Sequence, residues 1–279
     1  MDIEAYLKRT LLGVGFLMLS WGVQAQVVGS DHDLSSGGTA SEGVSNTDQV
    51  CIFCHTPHGS DTSASVPLWN KVLPNPVTYT RYSALATSSF ESAEADVGSV
   101  SLACLSCHDG SQAMDVVLNA PGSGNYSATG VAIETGVAWG ATRAPVPNLQ
   151  TDLSNDHPIS IQYGGGGIDD VTPVLTATVA TMGATTDPDF VLAKGVEINS
   201  SFPVWWVDSA TGGTADVREK TDMHLYSREL VTASGTFEPF VECGSCHDPH
   251  NSSTAGATQV AFLRIDNAAS TVCVSCHTK

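Results

Sequence analysis

The chain has 279 residues, with 29 Asp+Glu against 11 Lys+Arg and a formal charge of −18. That excess of carboxylates argues against nucleic acid and anionic membrane surfaces as partners, because both recruit Lys and Arg. Only 14% of residues are charged, while Gly, Ala, Ser and Thr abound, which favours strands, turns and coil over long salt-bridged helices.

Residues 1–25 read as a cleaved export signal: Lys8 and Arg9, an apolar run from Leu11 to Val23, and the small-x-small site Val23–Ala25. The mature chain is expected to start at Gln26 and to meet oxidising conditions. No later stretch is long and apolar enough to span a bilayer, so no membrane insertion is expected. The four charges inside the signal cancel, so the mature chain keeps the −18 and only nine basic residues.

All eight cysteines fall in four Cys-x-x-Cys pairs, each followed at once by histidine: "CIFCH" (51–55), "CLSCH" (104–108), "CGSCH" (243–247) and "CVSCH" (273–277). Zinc ribbons use paired cysteines but need no histidine after every pair. Redox disulfides would require repeated βαβ units, which are not legible here. Covalent haem attachment accounts for every residue of the pattern: Cys51, Cys54, Cys104, Cys107, Cys243, Cys246, Cys273 and Cys276 as thioethers, and His55, His108, His247 and His277 as axial ligands. Four haems c are therefore expected, in a multihaem c-type cytochrome that is mostly coil, with short helices at the haem motifs and some short β-strands.

Each iron then needs a sixth ligand or keeps an open position. Five histidines remain: His32, His58, His157, His224 and His250. His58 and His250 each follow a motif histidine by three residues, in "CHTPH" and "CHDPH". From there a ring cannot reach the far face of its own haem but can reach a neighbouring one. His157 precedes a proline in "NDHPIS", which holds it extended. His32 lies six residues after the expected mature start and could serve its own chain or another copy. His224, in "TDMHLYSREL", reads as the spare, although it could displace His32 or His157. Met114, Met182 and Met223 are weaker thioether candidates.

The motifs form an internal echo, "CxxCHxPH" followed by plain "CxxCH". This divides the mature chain into an N-terminal dihaem unit (26–109), a Gly/Thr/Ala-rich insert without haem motifs but with a distal histidine (110–241), and a C-terminal dihaem unit (242–279). Within the insert, Gly164 to Gly167 reads as a turn, and Thr172 to Met182 and Phe202 to Asp208 as strands.

The order "HDLS", "CIFCHTPHG", "VPLWN", "SLACLSCHDG", "NDHPIS", "VECGSCHDPH", "FLRIDNAASTVCVSCH" resembles the tetrahaem outer-surface cytochromes of metal-reducing bacteria, of the outer-membrane cytochrome E type. The insert matches only at "NDHPIS". The resemblance implies an electron-transfer protein, not an enzyme. It implies subunits polymerising into extracellular filaments, bis-histidine haems in a continuous row, and one distal histidine per subunit supplied by the adjacent copy. It also implies redox partner proteins and extracellular acceptors. By it, His32, His58, His157 and His250 are the distal ligands. His32 on its short tail, or the ligand of the motif at Cys273–His277, is where the crossing between copies is expected. A periplasmic shuttle and a haem reductase are the alternatives, the latter needing an open iron and nearby proton donors.

Overall fold

The computed structural model describes residues 27–38, 44, 46–63, 65–87, 90, 92–122, 125–134, 148–165, 178–181, 185–198, 202–209, 213–230, 235, 237–251 and 262–279. Residues 1–25, where an export signal is expected, residues 166–177 and Met182 lie outside them. Among the described residues no helix is long and apolar enough to cross a membrane.

Each Cys-x-x-Cys-His motif sits on a short helical turn, and each for the same local reason. Two cysteines three apart share a face only if the chain coils between them. The first motif begins on a 3₁₀ turn, Val50–Phe53. The second closes helix α1, Ser99–His108. The third is helix α2, Cys243–Cys246, and the fourth ends helix α3, Thr271–Cys276. In three of them the turn is locked by the histidine N–H donating to the carbonyl of the first cysteine: His55 to Cys51 at 2.8 Å, His247 to Cys243 at 3.0 Å and His277 to Cys273 at 2.9 Å.

The strands go further than the sequence suggests. A two-stranded ribbon pairs β1, Val116–Asn119, with β2, Tyr126–Ala132. A six-stranded antiparallel sheet runs in the order β3-β8-β7-β6-β5-β4. Its strands are β3 Ile161–Gln162, β4 Ala180–Thr181, β5 Lys194–Ile198, β6 Phe202–Val207, β7 Met223–Arg228 and β8 Glu238–Val241. The strand expected at Phe202–Asp208 is β6. Of the strand expected at Thr172–Met182, residues 178–181 are described, and Ala180–Thr181 of these form β4. One sheet face collects Trp205, Val207, Met223, Leu225 and Val241, and packs against Ile265, Cys246, Val272 and Cys276 of the last two motifs. The sheet is thus the floor on which the C-terminal haem motifs stand. Helix α1 rests on a second cluster, Tyr79, Val97, Leu102, Leu105 and Leu153.

Glu242, almost fully buried, joins these parts. It caps α2 through a capping box with Ser245. Its Oε1 accepts from Arg228 Nη1 of β7 at 2.8 Å. Its Oε2 accepts from Ser101 Oγ of α1 at 2.5 Å and from Ser160 Oγ at 3.1 Å. Ser101 Oγ in turn accepts the Cys243 N–H at 2.9 Å. Sheet, second motif and third motif therefore meet on one carboxylate.

The first and third motifs are also built alike in three dimensions. After each, a strap returns and pairs with it. Thr56 N–H donates to Leu68 O at 2.9 Å, as Asp248 N–H does to Phe262 O at 2.8 Å. Asn70 N–H donates to Cys54 O, as Arg264 N–H does to Cys246 O, both at 2.9 Å. The Asn70 side chain donates to Ile52 O at 2.6 Å, and Arg264 Nε donates to Gly244 O at 2.9 Å, the same place within each Cys-x-x-Cys. Leu68 and Phe262 even share the left-handed backbone, with φ of 58° and 63°, uncommon for bulky residues.

Burial raises the Glu242 carboxyl above the ordinary glutamate range, opposed by Arg228 and the two serines. A raised folded-state pKa means that stability is fully present below the unfolded-state value and is lost as pH rises through the folded one. Arg228→Met removes the opposing charge and should cost about 3–5 kcal/mol near neutral pH. The gap to the parent protein should narrow as pH falls and Glu242 takes a proton. Denaturant unfolding at several pH values, followed by circular dichroism, measures it.

Candidate functional site

None of the eight cysteines is paired in a disulfide. They form a row. Cys54 of the first motif lies within electrostatic reach of Cys107 of the second. Cys104 of the second hydrogen-bonds Cys243 of the third, which pushes the Cys104 thiol up and the Cys243 thiol down. Burial, with Cys246 of the third motif close by, lifts the Cys276 thiol of the fourth to about 12. Among the described residues no three His, Cys, Asp or Glu side chains converge as a metal-holding group, as a tetrahedral zinc site requires.

The histidines meet instead in twos. His55 and His250 stack with ring centres 6.3 Å apart and planes 14° apart. His32 faces His108 at 6.1 Å, and His157 faces His277 at 6.5 Å, both edge-on. A metal–imidazole bond of about 2.0–2.1 Å on each side, with about 1.1 Å from nitrogen to ring centre, sets two trans imidazoles on one metal about 6.3 Å apart. At that spacing each pair could hold one metal ion between its two rings. Each joins a motif histidine to one from a distant part of the chain.

Ring orientation fits as well. His55 Nδ1 sits 2.9 Å from Pro67 O, His157 Nδ1 3.0 Å from Pro158 O, and His32 Nδ1 3.4 Å from Pro249 O. His250 Nδ1 lies 3.5 Å from Asp248 Oδ1. A nitrogen facing an oxygen acceptor carries the proton, so Nε2 keeps its lone pair, and fixing one ring nitrogen to free the other for metal is how ligand histidines are held. Burial, reinforced by His108, lowers the His32 pKa to about 4. Burial likewise lowers His157 and His247, whose rings keep an open edge but are crowded by surrounding chain. Neutral imidazole is the ligating form.

Among the described residues no ring contact joins His58 or His247 to a second imidazole, although His108 lies within electrostatic reach of His247. Both are exposed. The His58 loop is pinned from behind, with Asn119 Nδ2 donating to His58 O at 3.0 Å and the Tyr126 ring lying against Gly59. His224 is oriented the opposite way from the others. Its Nε2 is 2.8 Å from Glu219 O, so the nitrogen that would bind metal is already engaged, and the ring sits on β7 opposite Trp206. Met223 is buried in the sheet core, and Met114 packs against Phe53 and Cys54 of the first motif.

Three contributors were not evident in the sequence. Phe262 stacks on His32 at 4.1 Å, Phe190 leans on His277 at 4.5 Å, and Glu242 links the second and third motifs. The only available signal was position: Phe262 and Glu242 lie within or beside the stretches around the third motif.

The chain matches the family model of the doubled CXXCH motif over residues 238–279, which spans β8 and the third and fourth motifs. The match indicates a multihaem c-type cytochrome with covalently bound haem, and with it a role in electron transfer. No characterised protein matches the chain in sequence.

His224→Ala should leave the visible and electron paramagnetic resonance spectra of the holoprotein unchanged while costing about 1–3 kcal/mol of stability, because the Glu219 carbonyl loses its partner. Loss of a low-spin signal would instead make His224 a ligand.

Proposed function

We propose that the chain carries four covalently attached haems c, one per Cys-x-x-Cys-His motif, and conducts electrons along them, polymerising into an extracellular filament. The haem irons supply one-electron carriers. The chain supplies thiols for attachment and imidazoles for both axial positions, and it sets the motifs in a row. The observation that carries this reading is the set of three facing imidazole pairs at 6.1–6.5 Å, each made of one motif histidine and one of the remaining histidines. In it His32, His157 and His250 are distal ligands for the second, fourth and first motifs.

We place the crossing between copies at His58 and His247. His32 and His277 both have facing rings in their own chain, whereas His58 and His247 do not. In this reading His58 of one copy completes the iron of the third motif, at His247, in the next. The histidine is exposed, its loop is braced by Asn119 and Tyr126, and the recipient is exposed too. Export, a cell-surface or extracellular location, and redox partner proteins with extracellular acceptors belong to the same proposal. A periplasmic electron shuttle is its alternative.

Two measurements test it. Intact-mass analysis of the secreted protein should give four haems per chain, and replacing Cys51 and Cys54 together by Ala should remove one. Electron microscopy of the secreted fraction should show filaments that His58→Ala abolishes, with one haem in four turning high-spin. Monomers at high concentration, or an unchanged low-spin spectrum in His58→Ala, would overturn the filament and its crossing ligand.

A further inference from the structure

Among the described residues, only the two matching straps carry a buried basic side chain. Only nine basic residues follow the export signal, yet one is buried on each strap. Lys71 is fully buried, and its Nζ lies 2.8 Å from Val116 O, 3.0 Å from Met114 O and 3.4 Å from Ala113 O. Three carbonyls around one nitrogen suit an ammonium, which has three N–H donors, whereas a neutral amine offers only two. Among the described residues Lys71 forms no ion pair. Asp115, the buried carboxylate of the same loop, accepts the Glu134 N–H at 3.1 Å. Arg264, 8% exposed, donates from Nε to Gly244 O and from Nη1 to Lys220 O, each at 2.9 Å, and it too forms no ion pair among the described residues.

Both charges lie against an attachment cysteine. Asn70, next to Lys71, holds Cys54 O, and Arg264 holds Cys246 O with its own N–H. Lys71 Nζ rests on Met114 O, and Met114 packs in the cluster that holds Cys54, while Arg264 Nε reaches Gly244 O inside the third Cys-x-x-Cys. The second and fourth motifs differ. Between the second and the third, Arg228 is neutralised by Glu242 at 2.8 Å, so this pair adds no net charge to either. Near the fourth, Lys279 pairs with Asp189 at the surface.

We propose that Lys71 and Arg264 are tuning residues, buried cations outside any ion pair among the described residues, that raise the reduction potentials at the first and third motifs above those at the second and fourth. Ferric iron carries one more positive charge than ferrous iron. A fixed cation in a poorly screened interior therefore disfavours the ferric form. The result is an alternation of potential along the row of motifs. This inference rests on the four-haem reading above.

The test is spectroelectrochemical titration of the four-haem holoprotein and of Lys71→Gln and Arg264→Asn. Glutamine keeps donors for the carbonyls without the charge, and asparagine is what the first strap carries at the place of Arg264. In each variant one quarter of the absorbance change should move to lower potential by about tenfold in the ferric-to-ferrous ratio, which is 59 mV for one electron. Lys71→Arg and Arg264→Lys should restore the parent curve. A parent-like titration in Lys71→Gln and Arg264→Asn, or an equal shift in the charge-conserving variants, would overturn the proposal. The two variants act at separate motifs, so each is a complete test if the other fails to accumulate. Haem count and low-spin spectra, read on the same samples, report on the four-haem reading separately from the potentials.

Discussion

A single buried carboxylate holds the architecture together. Glu242 lies between the last sheet strand and the third haem motif, and it accepts from Arg228 of β7, Ser101 of α1 and Ser160 beside β3 while capping α2. A buried charge of this kind is tolerated only when every lone pair is engaged. Any shift of α1 against the sheet would leave one of these groups without a partner. The contact between the second and third motifs, seen in the Cys104–Cys243 hydrogen bond, therefore follows from polar satisfaction and not only from apolar packing.

The straps achieve the same end by different means. A short return segment crosses beneath the first and third motifs, donating a backbone N–H and a side-chain N–H into the Cys-x-x-Cys turn. The motif is held as part of a small bridge, and its histidine becomes a β-bridge partner of Trp69 in one case and Leu263 in the other. Rings mounted on such a frame have few rotamers open to them. Four histidine rings, those of His32, His55, His157 and His250, are steered further by an oxygen facing Nδ1. His224 is held the other way round, its sheet position setting Nε2 against a backbone carbonyl.

Charge follows an unusual economy in this chain. With −18 overall, the surface is acidic, while basic side chains such as Lys71 and Arg264 point inward to backbone carbonyls beside cysteines. Carbonyl dipoles can hold a buried cation without cancelling its field as a carboxylate would. Position along the chain, more than the count of charges, then decides the local potential.

Much of the attachment chemistry was legible because it is local. Two thiols and an imidazole within five residues define one helical turn, and the helices at the motifs and strand β6 follow from short-range pattern. The straps were not legible as a repeat, since Leu68-Trp69-Asn70-Lys71 and Phe262-Leu263-Arg264-Ile265 share no residue at matching places and agree only in backbone hydrogen bonds and left-handed φ. Nor could the sequence join the strands of the insert into one sheet beneath the last two motifs. It determined by itself where cofactor can attach and which histidines remain available. The tertiary structure alone decided which rings face one another, because His32 with His108, His55 with His250 and His157 with His277 are brought together by packing between distant segments, which no local spacing records.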